Sequence, residues 1–237
     1  MVINPKKQFM LVFAAFLVLG AAFKVMVLIE GFTEVRPVNA IPPVAGLVFG
    51  PIGAVACAIG NLAADFFGSF NLTSALGTIA NFAAAYLPYR LWHLFSSEEP
   101  NLHCSKNILL FLGISLMSAL TVAWFLPFGL DVFFGLWMEQ LYTYVFLNTF
   151  GFSVFFGMPM LIVLTSDSIS ISCSKPARHG VLGGNRKKLI NPVCALYFLL
   201  MLVIFVCVCC LHIHSVNTPW LWVLSGLSFI ALLCLLI

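Results

Sequence analysis

Apolar residues occur in long runs, and these runs define the predicted elements. A helix that crosses a bilayer needs about 20 consecutive apolar residues. Six of the runs are long enough to cross alone, and a further stretch at 40–70 divides into two shorter ones. The runs lie at 9–29, 40–50, 51–70, 74–95, 107–127, 136–164, 190–212 and 218–237.

The stretch 40–70 is too long for one upright helix and short for two. Pro51 stands near its middle and would break a continuous helix, because proline removes a backbone donor and its ring clashes with the preceding turn. We expect a short, irregular helical pair that enters the membrane and comes back, as two passes or as a re-entrant hairpin. It is punctuated by Pro42, Pro43, Gly46, Gly50, Pro51, Gly53, Gly60 and Gly68. Such interrupted segments are typical of transport sites.

Composition supports an all-α integral membrane protein. The chain has 237 residues, of which 62% are hydrophobic and only 8% charged, whereas a soluble domain has about 25% charged residues. The first apolar run has about 21 residues, longer than the 7–15 of a signal peptide core. We therefore predict that 9–29 is the first span, and we find no room for a separate soluble domain.

The basic residues predict the orientation. Nine of the eleven Lys and Arg residues lie in the N-terminus, in the loop 89–106 or in the loop 165–189. Cytoplasmic loops carry an excess of Lys and Arg, so an even number of crossings must separate these segments. This parity predicts about eight spans, with both termini on the cytoplasmic side of the membrane. The predicted parts are a six-span substrate-binding domain at 1–167, a basic loop at 168–189 and a C-terminal transmembrane hairpin at 190–237.

The chain lacks a recognisable catalytic or metal-binding motif. Six of the eight cysteines lie in apolar runs, where cysteine behaves as a small hydrophobic residue. The histidines lie in loops or at span ends, away from the acidic residues. We expect no enzyme activity, no cofactor and no metal. The expected partners are the lipid bilayer and a small-molecule substrate, without nucleic acid.

Polar side chains within the apolar stretch are the candidate substrate-binding residues, because such groups are rare in membranes and usually face the protein interior. Arg36 is the only basic residue assigned to an external loop, which an anionic or carbonyl-bearing ligand would explain. The proposed set is Arg36, Asn39, Asn61, Asp65, Asn81, Glu139, Tyr142 and Asn148.

Each candidate also has a structural interpretation. The asparagines could join helices by hydrogen bonds, and Asp65 could be an exposed residue at a helix end. Glu139 and Tyr142 could belong to an aromatic belt at the membrane interface. Lys24, which is outside the set, is interpreted as snorkelling to the outer headgroups.

Three consecutive segments carry a resemblance to a known family. They are Arg36-Pro37-Val38-Asn39-Ala40-Ile41-Pro42-Pro43, Gly46-Leu47-Val48-Phe49-Gly50-Pro51-Ile52-Gly53 and Ala58-Ile59-Gly60-Asn61-Leu62-Ala63-Ala64-Asp65. These segments resemble substrate-binding (S) components of energy-coupling factor (ECF) transporters, nearest the queuosine-precursor branch, and the likeness covers about residues 9–167.

The resemblance implies a multi-pass protein of a bacterial or archaeal cell (plasma) membrane, with six helices and both termini cytoplasmic. It implies capture of a vitamin-like metabolite from outside. It also implies a membrane scaffold subunit and two ATPase subunits as partners. Arg36 and Asn39 would lie at the lid of the pocket, and Asn61, Asn81 and Glu139 along its walls. The hairpin at 190–237 is additional to that fold.

The sequence thus predicts a substrate-capture subunit for a small water-soluble metabolite, of heteroaromatic or carboxylate-bearing type. Two alternatives stay open. The Pro/Gly-rich hairpin, Gly60-Asn61 and Asn81 also resemble membrane-associated sensor domains of bacterial signalling systems. A structural membrane protein without transport activity would carry the same polar groups as links between helices.

Overall fold

The computed structural model describes residues 3–30, 33–68, 70–71, 73–166, 169, 171, 173, 184–210 and 219–236. The side chains at 139, 184–189, 210 and 219 lie outside this description. In these ranges the protein is a helical bundle with one short β-ribbon. Its helices are α1 Pro5–Ala22, α2 Ile41–Phe49, α3 Pro51–Asp65, α4 Thr73–Phe95, α5 Ser105–Phe134, α6 Glu139–Phe152, α7 Met158–Leu164, α8 Gly184–Cys210 and α9 Pro219–Leu236.

Four stretches of helix in the described ranges are long and apolar enough to cross a membrane. They are Pro5–Ala22, Ser105–Phe134, Gln140–Leu164 and Ile190–Cys209. The third is α6 and α7 joined through a π-helical turn, Ser153–Gly157. The helix α4 has sufficient length but lower hydropathy, and the described apolar part of α9 is shorter. The structure therefore supports an all-α bundle compatible with a membrane.

The first predicted span, 9–29, continues for seven residues beyond the end of the helix. Helix α1 ends at Ala22, and a turn leads into strand β1, Val27–Ile29, which pairs antiparallel with strand β2, Thr33–Glu34. The prediction of helix over 23–29 is therefore wrong. The β-branched residues Val25, Val27 and Ile29 favour extended backbone, and the strand pairing satisfies the backbone groups that the helix no longer uses.

The helix breaks at Pro51, as predicted, and the chain reverses its direction there. Gly50 has a φ of 60°, a conformation that glycine adopts without strain, and Pro51 is the first residue of α3. Gly53 lies so close to the carbonyl oxygen of Ala45 that a Cβ there would collide with it. Helices α2 and α3 therefore form a hairpin, preceded by a 3-10 turn at Pro37–Ala40.

Small residues allow this hairpin to pack closely. A Cβ on Gly46 would overlap the Ala85 carbonyl of α4, so α2 and α4 are in backbone contact there. Added Cβ atoms on Gly20 and Gly60 would lie 2.9 Å from Ala64 and Phe16, which brings α1 against α3. These contacts bring α2 and α3 close to α4 and α1, and every residue of α2 is buried.

The C-terminal helices pack on the rest of the bundle. Tyr197 of α8 is fully buried and forms a 2.7 Å hydrogen bond with Thr121 of α5. The indole of Trp124 donates to Ser225 of α9 at 3.1 Å. The helix α8 begins at Gly184, six residues before the predicted span. Helices α8 and α9 are therefore each joined to α5 by a polar contact.

The bundle has two chemically different ends. One end holds the cavity that is described below. Lys24 follows α1 there and Asp65 ends α3. The nearby ends of the next three helices contribute Thr73 of α4, Leu130 of α5 and Leu141 of α6. We call this the cavity end. The opposite end, called the basic end, carries Lys6, Lys7, Arg90 and Lys106 at the other termini of α1, α4 and α5. There the Arg90 side chain donates from Nε to the Leu235 carbonyl oxygen near the end of α9, at 3.4 Å.

Candidate functional site

A polar cavity opens at the cavity end of the bundle. Its volume is about 70 Å³, which is room for on the order of five water molecules. Its walls come from the turn after α1, the ribbon, the 3-10 turn and the five helices α2 to α6. They are formed by Lys24, Thr33, Glu34, Arg36, Asn39, Pro42, Asn61, Asp65, Thr73, Ser74, Gly77, Asn81, Ala84, Val122, Leu126, Leu130, Leu141, Val145, Asn148 and Thr149.

Four charged side chains, Lys24, Glu34, Arg36 and Asp65, meet in the wall of this cavity. Lys24 Nζ lies 2.8 Å from Asp65 Oδ1 and 3.1 Å from Glu34 Oε1, and all three side chains are less than a tenth exposed. Arg36 Nε lies 3.7 Å from the same Glu34 oxygen. The cluster therefore has two positive and two negative groups, which is how buried charges are made tolerable.

Asn61 joins Arg36 to this cluster. Its side-chain oxygen accepts a 2.6 Å hydrogen bond from Arg36 Nη2, and its amide nitrogen lies 3.4 Å from Asp65 Oδ2. Asn61 and Asp65 are four residues apart on α3, so their side chains share one face of the helix. Helix α3 thus presents an acceptor and a carboxylate together to the segment 34–36.

Asn148 and Thr149 of α6 hold the polypeptide that carries Arg36. The Asn148 side chain accepts from the Arg36 backbone N–H at 3.2 Å and donates to the Glu34 carbonyl oxygen at 3.0 Å. Asn39 Nδ2 donates to Thr149 Oγ1 at 3.3 Å. These bonds draw the segment 34–39 into the bundle, so Arg36 points into protein rather than into an external loop.

Asn81 lines the cavity from α4. Its amide nitrogen donates to the Gly77 carbonyl oxygen of its own helix at 2.9 Å. Among the described residues its side-chain oxygen has no hydrogen-bond donor, which leaves an acceptor at the cavity wall.

Six of the eight predicted residues line this one cavity: Arg36, Asn39, Asn61, Asp65, Asn81 and Asn148. Glu139 begins α6, but its side chain lies outside the described part, so its predicted role stays a prediction. Tyr142 is not at the cavity. Its ring is 1% exposed and packs against Phe205 of α8, with centroids 6.0 Å apart.

Three interpretations from the sequence need correction. Tyr142 is neither in an interfacial belt nor placed to touch a ligand in this cavity, because α8 covers it. Asp65 is 5% exposed rather than solvated, because Lys24 pairs with it. Lys24 is directed into the protein rather than snorkelling outward, since two carboxylates lie within 3.1 Å of it.

Glu34 and Lys24 are the residues that sequence reasoning missed. Glu34 was hidden by its position beside Arg36 in a segment assigned to an external loop. A signal for both existed, because a lysine at the end of an apolar run requires a partner if it does not reach water. Asp65 and Glu34 are the acidic groups that the neighbouring segments offer.

The described carboxylates do not assemble a metal-binding group. Among the residues whose positions are described, no three His, Cys, Asp or Glu side chains come together. Glu34 and Asp65 are the two acidic side chains of the cavity, and both contact Lys24 Nζ. The two carboxylates of the cavity are therefore engaged in ion pairs within the protein.

Fold and site together define a helical bundle, compatible with a membrane, that encloses a charged and amide-lined cavity at one end. Comparison with known protein families, with curated proteins and with solved structures found no match.

Proposed function

We propose that this chain is the membrane-embedded substrate-capture subunit of an ECF-type importer, and that the cavity binds a small water-soluble metabolite. The observation that carries the proposal is the cavity itself. Polar side chains from distant segments converge on a free volume within an apolar bundle, where each would be costly to place without a partner. Asn81 retains a side-chain acceptor at the cavity wall, and Arg36 Nε is buried without a hydrogen-bond acceptor among the described residues.

The proposed topology follows from the two ends of the bundle. The basic end would face the cytoplasm, because cytoplasmic segments are enriched in Lys and Arg. The cavity end would then face the cell exterior, where a nutrient is captured. In this proposal the protein performs no chemistry on the ligand. A membrane scaffold subunit and two ATPases, which the resemblance of residues 36–65 implies, would supply the energy for import.

A structural or sensory membrane protein is the second candidate, and a specific observation favours it. Lys24 with Asp65, and Asn148 with the backbone of 34–36, pair within the protein. Links of this kind hold helices together without any ligand. Hydrogen bonds between membrane helices average about 0.6 kcal/mol, so the single substitutions Asn61→Ala and Asn81→Ala would then have mild effects.

Co-purification and ligand extraction separate these two candidates. The chain would be co-expressed with a tagged ECF scaffold subunit and its two ATPases, purified as a complex, and denatured to release small molecules for mass spectrometry. We expect a complex that contains a polar metabolite. A chain that never joins a scaffold able to recover a known S component would refute the importer.

Two cavity variants and one matched control make the experiment specific. Asn61→Ala and Asn81→Ala should lose the metabolite yet keep the size-exclusion profile of a folded protein. Asn107→Ala removes a buried asparagine at the basic end, where it bonds Asn101 at 2.9 Å, and should retain the metabolite. Equal retention by all three variants would favour the structural candidate.

A further inference from the structure

We propose that the ligand of this cavity carries a carboxylate, and that Arg36 binds it. This inference rests on the proposed function, since it assigns a chemical class to the solute of the same site. The argument depends on which charged group in the cavity is least satisfied by the protein.

Arg36 has more donors than the described protein provides acceptors for. A guanidinium has five N–H donors, and among the described residues one hydrogen bond is made, from Nη2 to Asn61. Nε is buried and has no hydrogen-bond acceptor. Its 3.7 Å separation from Glu34 is an ion pair beyond hydrogen-bonding distance. A carboxylate, with two parallel acceptor oxygens, matches the remaining donors.

The two acidic groups are better satisfied than Arg36. Lys24 Nζ contacts an oxygen of each, at 2.8 and 3.1 Å. The second Asp65 oxygen also faces the Asn61 amide at 3.4 Å. A cationic ligand would have to displace Lys24 from a short ion pair, whereas an anionic ligand has only the long contact between Arg36 and Glu34 to replace. The cavity therefore favours an anion.

The size and the remaining walls restrict this anion further. The cavity holds about 70 Å³, which admits a carboxylate and a few further atoms. Beside the charged side chains, α5 and α6 contribute the apolar side chains of Val122, Leu126, Leu141 and Val145. The ligand that fits is a small carboxylate with a short aliphatic or weakly polar body.

Calorimetric titration of the purified protein in detergent tests this assignment. The probes are acetate, propionate and L-lactate, each compared with its primary amide, which has nearly the same shape without the charge. We expect saturable binding of at least one carboxylate and at least tenfold weaker binding of its amide. A charge-assisted bidentate contact accounts for a difference of this order.

Three variants identify the binding group. Arg36→Lys keeps the charge but loses the bidentate geometry, and it should weaken carboxylate binding by roughly tenfold. Glu34→Gln removes the internal competitor for Arg36, and it should strengthen binding. Arg90→Lys, at the basic end, is the matched control and should bind like the wild type. Because the two cavity variants have opposite signs, loss of fold cannot imitate the result.

The outcomes separate the two proposals. A chain that joins the ECF scaffold but binds amides as well as carboxylates overturns this inference and leaves the importer standing. Carboxylate binding that Arg36→Lys weakens by roughly tenfold, in a chain that joins no scaffold, supports the inference and refutes the importer. Absence of binding by every carboxylate overturns the inference.

Discussion

The ammonium of Lys24 is the charge on which the cavity end depends. It contacts both Glu34 and Asp65, with less than a tenth of each side chain exposed. Burying an ion pair costs desolvation free energy, so the pair is not strongly stabilising in itself. Removing one partner is different, because the other charge stays buried without compensation.

We predict that Lys24→Met and Asp65→Leu each lower the thermal unfolding midpoint in detergent, consistent with about 3–5 kcal/mol for breaking a buried pair. The double variant should be more stable than the Lys24→Met protein, because it leaves one fewer unpaired carboxylate. Temperature-dependent size-exclusion recovery measures all three. Additive losses in the double variant would contradict the ion pair.

Asn148 gives a second prediction at the residue scale. Its side chain makes hydrogen bonds in both directions to the backbone of Glu34 and Arg36. Asn148→Ala should lose about 1–3 kcal/mol of stability, since two buried backbone groups lose their partners. It should also increase protease cleavage within 33–40. Unchanged cleavage would show that α6 does not hold this segment.

At the residue scale the sequence predicted which side chains gather but not how they pair. Arg36, Asn61 and Asp65 are identifiable because polar groups in apolar runs are rare. Their partners depend on the approach of segments far apart in the chain, such as Lys24 and Asp65. Tyr142 was misassigned because the sequence around an aromatic residue near a helix start does not show whether lipid or another helix covers the ring.

The hairpin of α2 and α3 is the element whose geometry depends most on glycine. Gly46 meets the backbone of Ala85, whereas the space around Gly113 on α5 is open within 4 Å. These two helical glycines provide a matched pair for substitution.

We predict that Gly46→Ala strongly destabilises the protein, since α2 and α4 would have to separate, and overpacking a core costs about 1–3 kcal/mol or more. Gly113→Ala should be neutral or stabilising, because alanine favours a helix by up to about 1 kcal/mol relative to glycine. Thermal midpoints of the two variants check this. Similar midpoints would contradict the close backbone contact.

At the element scale the helices were predictable wherever the apolar run decided them. The break at Gly50 and Pro51 could be predicted because proline and glycine act locally. The ribbon at 27–34 was not predictable, because its first strand, Val27–Ile29, is apolar enough to extend the first predicted span. Its formation depends on pairing with Glu34, whose position is fixed by contacts in the bundle.

Cysteine labelling can test the proposed orientation of the whole molecule in the membrane. Cys104 precedes α5 at the basic end and is exposed, whereas Cys173 is buried. Burial and the nearby charge of Glu99 raise the pKa of the Cys173 thiol to about 11. At neutral pH its reactive thiolate is then scarcer by roughly two orders of magnitude than that of an ordinary cysteine.

We expect a variant with Cys104 as its sole cysteine to react with a membrane-impermeant maleimide in inside-out vesicles and not in intact cells. The variant with Cys173 alone should react slowly in either preparation, and faster as the pH is raised toward 11. Rapid labelling of Cys104 on intact cells would contradict the proposed topology.

At the scale of the molecule, the parity of the basic segments predicted that α1, α3 and α5 end together. That arrangement is what brings the cavity residues to one end. The contact surface of α8 and α9 was not predictable, because their apolar sequences do not show which faces meet α5. Pairs such as Tyr197 with Thr121 become visible only in three dimensions.

The burial of α2 also has a consequence for biogenesis. With nine residues, this helix is about 14 Å long, roughly half the thickness of the bilayer core. It can neither cross the membrane nor leave its ends in lipid, where unpaired backbone groups are costly. Gly46 of α2 packs against the backbone of Ala85 in α4, and α4 is synthesised after α2. Residues 73–95 must therefore be synthesised before the preceding helix α2 can make its backbone contact with α4.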